Sequence, residues 1–242
     1  MPSLTTADLT DVQTAPSVTP DHLQNRLAEA ACYAVLRRIA PVLRHDVAGL
    51  MQPVGMLMMV LQRRVQMPEP DLQTIVKNVA SVSTLTKEAT AGCMNAMGWM
   101  ASRDDTGVSL RSSLDEAVKL LAMELSASEL EITNHISDEL IVVPQSFFRS
   151  VLMGALLAFC DQRTVGSTLQ VSLEAEGGNS NAASRLMLRM LHGHATCLNE
   201  SAAIDRQSRA IDWADVEAMA RSFGASTTRG EGWLSLDLPK AA

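Results

Sequence analysis

The residues best equipped for chemistry are His45 and Asp46, adjacent within Leu43-Arg44-His45-Asp46. A carboxylate beside one ring nitrogen favours the tautomer that leaves the other nitrogen's lone pair free, as an imidazole needs in order to accept a phosphoryl group. Arg38 and Arg44 could balance the charge of that group, although a merely solvated arginine face would present the same residues. His192 and His194, near Cys197, have a strand-end spacing that a metal ion can use, but no third ligand stands at a fixed spacing from them. They are therefore not read as a metal site. Trp213 reads as helix-start packing rather than a stacking platform. The group Met51, Met56, Met58 and Met59 reads mostly as bundle core rather than as an adaptable docking surface.

The element that must carry His45 is a helix from about His22 to Gln66. Its apolar residues fall into a heptad, with Tyr33, Ala40, Val47, Val54 and Leu61 at one core position and Leu36, Leu43, Leu50 and Leu57 at the other. On that frame His45 takes the outermost position, with Arg38 one heptad before it and Gln52 one heptad after, so all three are expected in solvent. Pro41 and Pro53 lie inside the helix and predict bends, or a break. Met67-Pro68-Glu69-Pro70-Asp71 reads as a turn with Asp71 as a cap. A second helix follows, with Leu72, Ile75, Val79, Val82, Ala89, Cys93, Ala96 and Met100 inward, antiparallel to the first because the connection is short. Such a hairpin buries only one face of each helix. The wide apolar seam, extended by Ile39, Met58 and Val65, therefore calls for dimerisation into a four-helix bundle.

After Arg103 to Gly107 the pattern changes. A helix is expected over Leu110 to Leu125, strands over Glu131 to Ile136 and Leu140 to Val143, and an apolar helix over Gln145 to Asp161. Alternating runs at Thr168 to Glu174 and Arg185 to Leu191 flank the turn Gly177-Gly178-Asn179. A helix over Asp212 to Phe223 and strands at Ser226 to Arg229 and Trp233 to Leu238 close the chain. The fold class is α+β: a helical hairpin over 21–103, then an α/β sandwich over 107–242 with helices on one face of its sheet. Residues 1–20, rich in Ser, Thr and Pro, read as a mobile tail.

Composition narrows the function. The 242 residues are 47% hydrophobic and only 3% aromatic, with 14 Met, which favours helix packing around a substantial core. A net charge of −7 with no basic run beyond Arg37-Arg38 and Arg63-Arg64 argues against a nucleic-acid partner. Cys32, Cys93, Cys160 and Cys197 are far apart and read as reduced thiols. The N-terminus has no secretory character. The most membrane-like stretch, Gly49 to Leu61, contains Gln52 and Pro53 and is too short to span a bilayer. A cytoplasmic protein without membrane contact is expected.

A helix bearing Leu43-Arg44-His45-Asp46, a hairpin partner and then an α/β domain together resemble the phosphoacceptor and ATP-binding domains of sensor histidine kinases, over nearly all of the chain after residue 21. In that family the phosphorylated histidine is followed by an acidic residue, matching His45 and Asp46. Its usual proline, five residues after the histidine, stands here at Pro53, eight residues on. The family's asparagine-bearing helix is similar to Phe148–Ala158, but the asparagines that hold magnesium and nucleotide fall at Gly154 and Ala158. The adenine-reading Asp-x-Gly-x-Gly is replaced by His192-Gly193-His194-Ala195, and Ala203 to Asp212 contains none of the glycines of the phosphate lid. The ending, Val216 to Ala225 and a hairpin through Gly230-Glu231-Gly232, follows the family.

The resemblance thus implies the fold of a kinase without its nucleotide chemistry, as in the histidine phosphotransferases built from degenerate kinase bodies. The expected activity is phosphoryl transfer between response-regulator aspartates through His45, with Asp46 orienting it. Arg38, Arg44, Ala48 and Gln52 would meet the receiver domain, which would bring its own magnesium; no cofactor is expected of this chain. The alternative is a non-catalytic dimeric scaffold that binds a regulator or kinase. A diverged ATP-dependent kinase is a weaker rival.

Overall fold

A computed structural model describes residues 20–100, 106–137, 141–162, 166–175, 184–191 and 209–239. Helix α1, Pro20–Val65, runs unbroken through Pro41 and Pro53, so the break allowed for by those prolines does not occur. Helix α2, Leu72–Met100, packs back along it. Asp71 caps α2 as expected: its Oδ1 accepts from the backbone N–H of Gln73 at 3.0 Å and of Thr74 at 3.2 Å, and its Oδ2 accepts from the Thr74 hydroxyl at 2.6 Å. Those bonds, the hydroxyl's foremost, hold the Asp71 carboxyl below its ordinary range. The two helices approach closely where Leu50 lies over Gly92, leaving no room for a Cβ there.

The second part begins with β1, Gly107–Ser109, which pairs antiparallel with β3, Val142–Pro144. Between them come α3, Leu110–Leu120, α4, Ala122–Ser128, and β2, Leu130–Asn134. The single helix expected to Leu125 is therefore divided at Leu121. Next follow α5, Gln145–Phe147, a π-helical stretch, Phe148–Leu152, and α6, Met153–Asp161. Strands β4, Ser167–Ala175, and β5, Ser184–Leu191, precede α7, Trp213–Ser222, β6, Thr227–Gly230, and β7, Trp233–Asp237. The main sheet has the order β2-β4-β5-β7-β6, with β2 parallel to β4 and the other pairs antiparallel.

Alternation along the strands explains the layering. Leu169 and Val171 of β4, Leu186 and Leu188 of β5, and Leu234 and Leu236 of β7 are all buried, and the register sets Val171 opposite Leu188 and Leu188 opposite Leu234. They meet α6, whose residues from Met153 to Cys160 are buried without exception, and α7. Desolvation inside this layer pushes the Cys160 thiol up to about 11, as suits an inert buried cysteine. Trp213 packs edge-on against Phe159 with ring centroids 5.0 Å apart, so it serves as packing.

The same core takes in the first half of α1. Ala31, Ala34, Val35 and Ile39 are buried with the sandwich residues, and α7 and α6 lie along this part of the helix. The seam expected from the heptad needs correction here: Tyr33 is 65% exposed, and Ala40 is exposed as well. On α2, Leu72, Val79 and Met100 are exposed rather than inward, while Trp99 is buried. A heptad records where apolar residues fall, but the sandwich, not a second hairpin helix, covers the first half of α1, and it takes a face rotated from the heptad seam.

Candidate functional site

His45 lies near the middle of α1 with its side chain 87% exposed, as expected, and Asp46 beside it is 57% exposed. The imidazole Nδ1 is 3.4 Å from Asp46 Oδ1. The carboxylate thus lies on the Nδ1 side, where it favours a proton, and Nε2 is left to act as acceptor or nucleophile. Ala48 and Gln52, three and seven residues on, are exposed on the same face, and Arg44 is exposed next to it. Five of the six expected site residues are therefore exposed: His45, Ala48 and Gln52 along one strip, and Arg44 and Asp46 to either side of His45.

Arg38 is the exception, and its expected place in solvent is corrected. It is on the strip, one heptad before His45, but its side chain is only 1% exposed. Its Nε and Nη2 donate to the two carboxylate oxygens of Glu124 on α4 at 3.0 and 2.7 Å, and its Nη1 donates to Asp161 Oδ2 at the end of α6 at 2.7 Å. The same Asp161 oxygen accepts the backbone N–H of Ile211, just before α7, at 2.8 Å. Burial by itself would lower the arginine's pKa, but the hydrogen bonds it donates to Glu124 and Asp161 raise it, so the guanidinium is firmly charged inside the fold. Arg38 cannot meet a partner. The sequence carries a trace of this, since Arg38 sits among Ala34, Val35, Ile39 and Val42, an apolar setting in which a long cation needs a buried carboxylate.

The strip therefore passes from interior to solvent within one heptad, a rise of about 10 Å along the helix. Ala31, Ala34 and Arg38 are covered by the sandwich, while Pro41, His45, Ala48 and Gln52 are uncovered. His45 stands just outside the edge of the α/β domain, on the face of α1 to which that domain is docked.

A second junction lay beyond sequence reasoning. Arg149 in the π-helical stretch donates from Nη1 to the carbonyl of Gly98 and lies 5.0 Å from the ring centroid of Trp99, which also packs edge-on against Phe148 at 5.8 Å. It ties the end of α2 to the sandwich.

Of the positions at which the resemblance places nucleotide ligands, Gly154 and Ala158 are among the described residues, and both are buried. A Cβ on Gly154 would run into Met219 of α7 and come within 3.5 Å of Val35 Cγ2 on α1. His192 to Ala195, Cys197, the turn at Gly177 to Asn179 and the lid region up to residue 208 lie outside the described residues. Among the described residues no group of three His, Cys, Asp or Glu side chains could hold a metal ion, and no helix is long and apolar enough to cross a membrane.

No protein-family model matches this chain, and no curated protein does. Solved structures that resemble it include histidine kinases. One is the cytoplasmic segment of histidine kinase QseC, at 12% identity and a TM-score of 0.39, over 56% of this chain and 78% of that one. Another is the Acinetobacter baumannii histidine kinase AdeS, at 11% identity and a TM-score of 0.38, over 81% and 97%. A third is histidine kinase ThkA in complex with response regulator protein TrrA, at 12% identity and a TM-score of 0.38, over 91% of this chain and 66% of that one.

Proposed function

We propose that this protein is a histidine phosphotransferase of a two-component phosphorelay, with His45 as phosphoacceptor. The observation that carries the reading is the imidazole, 87% exposed, with Nδ1 turned to Asp46 and Nε2 free beside a docked domain. Nε2 would attack the phosphorus of a receiver domain's aspartyl phosphate in line with the leaving carboxylate oxygen. The N–P bond forms as the acyl O–P bond breaks, the aspartate leaves as carboxylate, and Asp46 stabilises the proton held on Nδ1. The reverse step passes the group to another receiver.

In this reading the protein contributes position and charge balance. Ala48 and Gln52 continue the contact strip from the histidine, Arg44 stands to one side of it, and the receiver supplies the magnesium that its own aspartyl chemistry needs. Loading from ATP is disfavoured, because Gly154 and Ala158 have no side-chain ligand to offer and the space over Gly154 is taken by Met219. A homodimer belongs to the proposal: Met51, Met58 and Val65, one heptad apart, are exposed along the far half of α1, a face that a second hairpin would cover.

The test is transfer from radiolabelled phospho-regulators of the same cell to the wild type and to His45→Ala. Acid-labile label on the wild type alone is the expected result. Binding of a regulator without label on either protein would overturn it in favour of a scaffold.

A further inference from the structure

Arg38 is buried with two carboxylate partners one heptad from His45, a position where a solvent-facing strip needs no internal ion pair. We infer that Arg38 is a positioning residue: through Glu124 and Asp161 it locks the α/β domain onto α1 as an immobile wall beside His45, fixing the angle from which a receiver domain can approach. This rests on the proposed phosphotransfer.

Four segments converge on the one guanidinium: α1 supplies Arg38, α4 supplies Glu124, α6 supplies Asp161, and the lead-in to α7 donates the Ile211 N–H to that same aspartate. The bonds are charge-assisted, and the Glu124 pair is bidentate, which fixes orientation as well as distance. Swinging the domain off α1 would strand a desolvated cation and its carboxylates unless all were rehydrated together, and would also expose Ala31, Ala34, Val35 and Ile39. Arg149, held on Gly98 and Trp99, pins the other hairpin helix to the same body. Both helices are thus fastened to the domain, and the fastening on α1 ends where the solvent-exposed strip begins. Apolar residues alone would have given adhesion. A bidentate ion pair on a buried guanidinium adds register, which is what a docking wall needs.

The experiment compares full-length wild type, Arg38→Met and Glu124→Ala. Glu124 is the safer site, since its side chain is 27% exposed and Arg38 keeps Asp161 when it is removed. Amide relaxation should give the wild type a single tumbling time for α2 and for β4–β5, and the variants separate ones. Transfer from a phospho-receiver should fall on the order of ten- to a hundredfold in kcat/KM in the variants. Labelling of His45 by the small donor phosphoramidate, which needs no wall, should stay within about twofold of wild type, whereas a wall without positional effect would leave both rates unchanged. Separate tumbling times in the wild type, or Glu124→Ala transferring from the receiver as fast as wild type, would overturn the inference. If Arg38→Met does not fold, Glu124→Ala decides. If the wild type takes label from phosphoramidate but from no receiver, the phosphotransfer reading itself fails, and the tumbling times still judge whether the wall is fixed.

Discussion

The two halves of α1 are built for different companions. From Ala28 to Ile39 the helix buries Ala28, Ala31, Ala34, Val35 and Ile39 beneath α6 and α7, with an arginine paired inside the contact. From Leu43 to Val65 its inward residues Leu43, Leu50, Leu57 and Leu61 are only half-buried against α2, and a row of methionines faces out. Small residues with one paired charge mark a contact already made within the chain. Large flexible apolar residues left in solvent suit the contact proposed with a second hairpin. His45 lies at the boundary between them.

The sharpest way to break this contrast is to restore the residue that the kinase resemblance calls for. Gly154→Asn puts a branched amide where a Cβ already meets Met219 and Val35. Overpacking and an unpaired buried amide should together cost about 2–5 kcal/mol, without nucleotide binding in return. Thermal denaturation and nucleotide titration check both halves of the statement. Wild-type stability with new nucleotide affinity would mean that the crevice is open and the proximal half of α1 is less committed than its packing indicates.

A matched pair of truncations sharpens it further. Ile39→Ala removes a fully buried side chain of the proximal half and should destabilise by about 2–5 kcal/mol at any protein concentration. Leu57→Ala removes a half-buried one from the distal half and should cost about 1 kcal/mol in dilute protein. Its cost should grow with concentration as association comes to contribute to stability. Denaturant melts over a hundredfold range of concentration separate the two behaviours. Equal, concentration-independent losses would erase the distinction.

Sequence pattern alone revealed more of the sandwich than of the hairpin. Strict alternation through Leu169 and Val171, and through Leu186, Leu188 and Met190, located β4 and β5 to within a residue, because a half-buried strand has only two faces. Asp71 and its turn were equally clear, since capping is local. The helix faces were harder. Tyr33 on the heptad of the first helix, and Leu72, Val79 and Met100 on the second, are expected inward, yet they are exposed, while Trp99 is buried by Phe148 and Arg149, nearly fifty residues away. Periodicity reports which face of a helix is apolar, but not which neighbour will claim it. The site divides the same way: exposure of His45 beside Asp46 follows from local frame and chemistry, whereas burial of Arg38 depends on two carboxylates from distant elements.

Helix α7, which covers the proximal half, gives a smaller effect. Asp212 caps it by accepting the Asp215 N–H at 2.9 Å, while the Asp215 side chain accepts the Asp212 N–H at 3.1 Å. Asp212→Ala should cost about 1 kcal/mol and loosen α7 against Ala28–Ile39. Hydrogen exchange should rise in α7 and remain unchanged at the hairpin tip around Asp71. A rise at the tip as well would show the two halves coupled more tightly than their packing suggests.

The smallest effect is a pH dependence confined to that cover. Burial works to raise the Asp215 carboxyl, but the Arg209 guanidinium, donating to both of its oxygens at 2.6 and 2.8 Å, and the Asp212 N–H outweigh it and hold the carboxyl below its ordinary range. A carboxyl depressed in the folded state contributes stability that is complete above its unfolded pKa, near 3.9, and is lost as pH falls through the folded value. Arg209→Gln should therefore melt below wild type at neutral pH by less than the Asp212 variant does. The gap should hold steady down to about pH 5 and close in stronger acid, where Asp215 is protonated in both proteins. Melting curves across that range carry the test. A gap that persists at the acid end would assign the arginine's contribution to packing of its stem along α7 rather than to its charge.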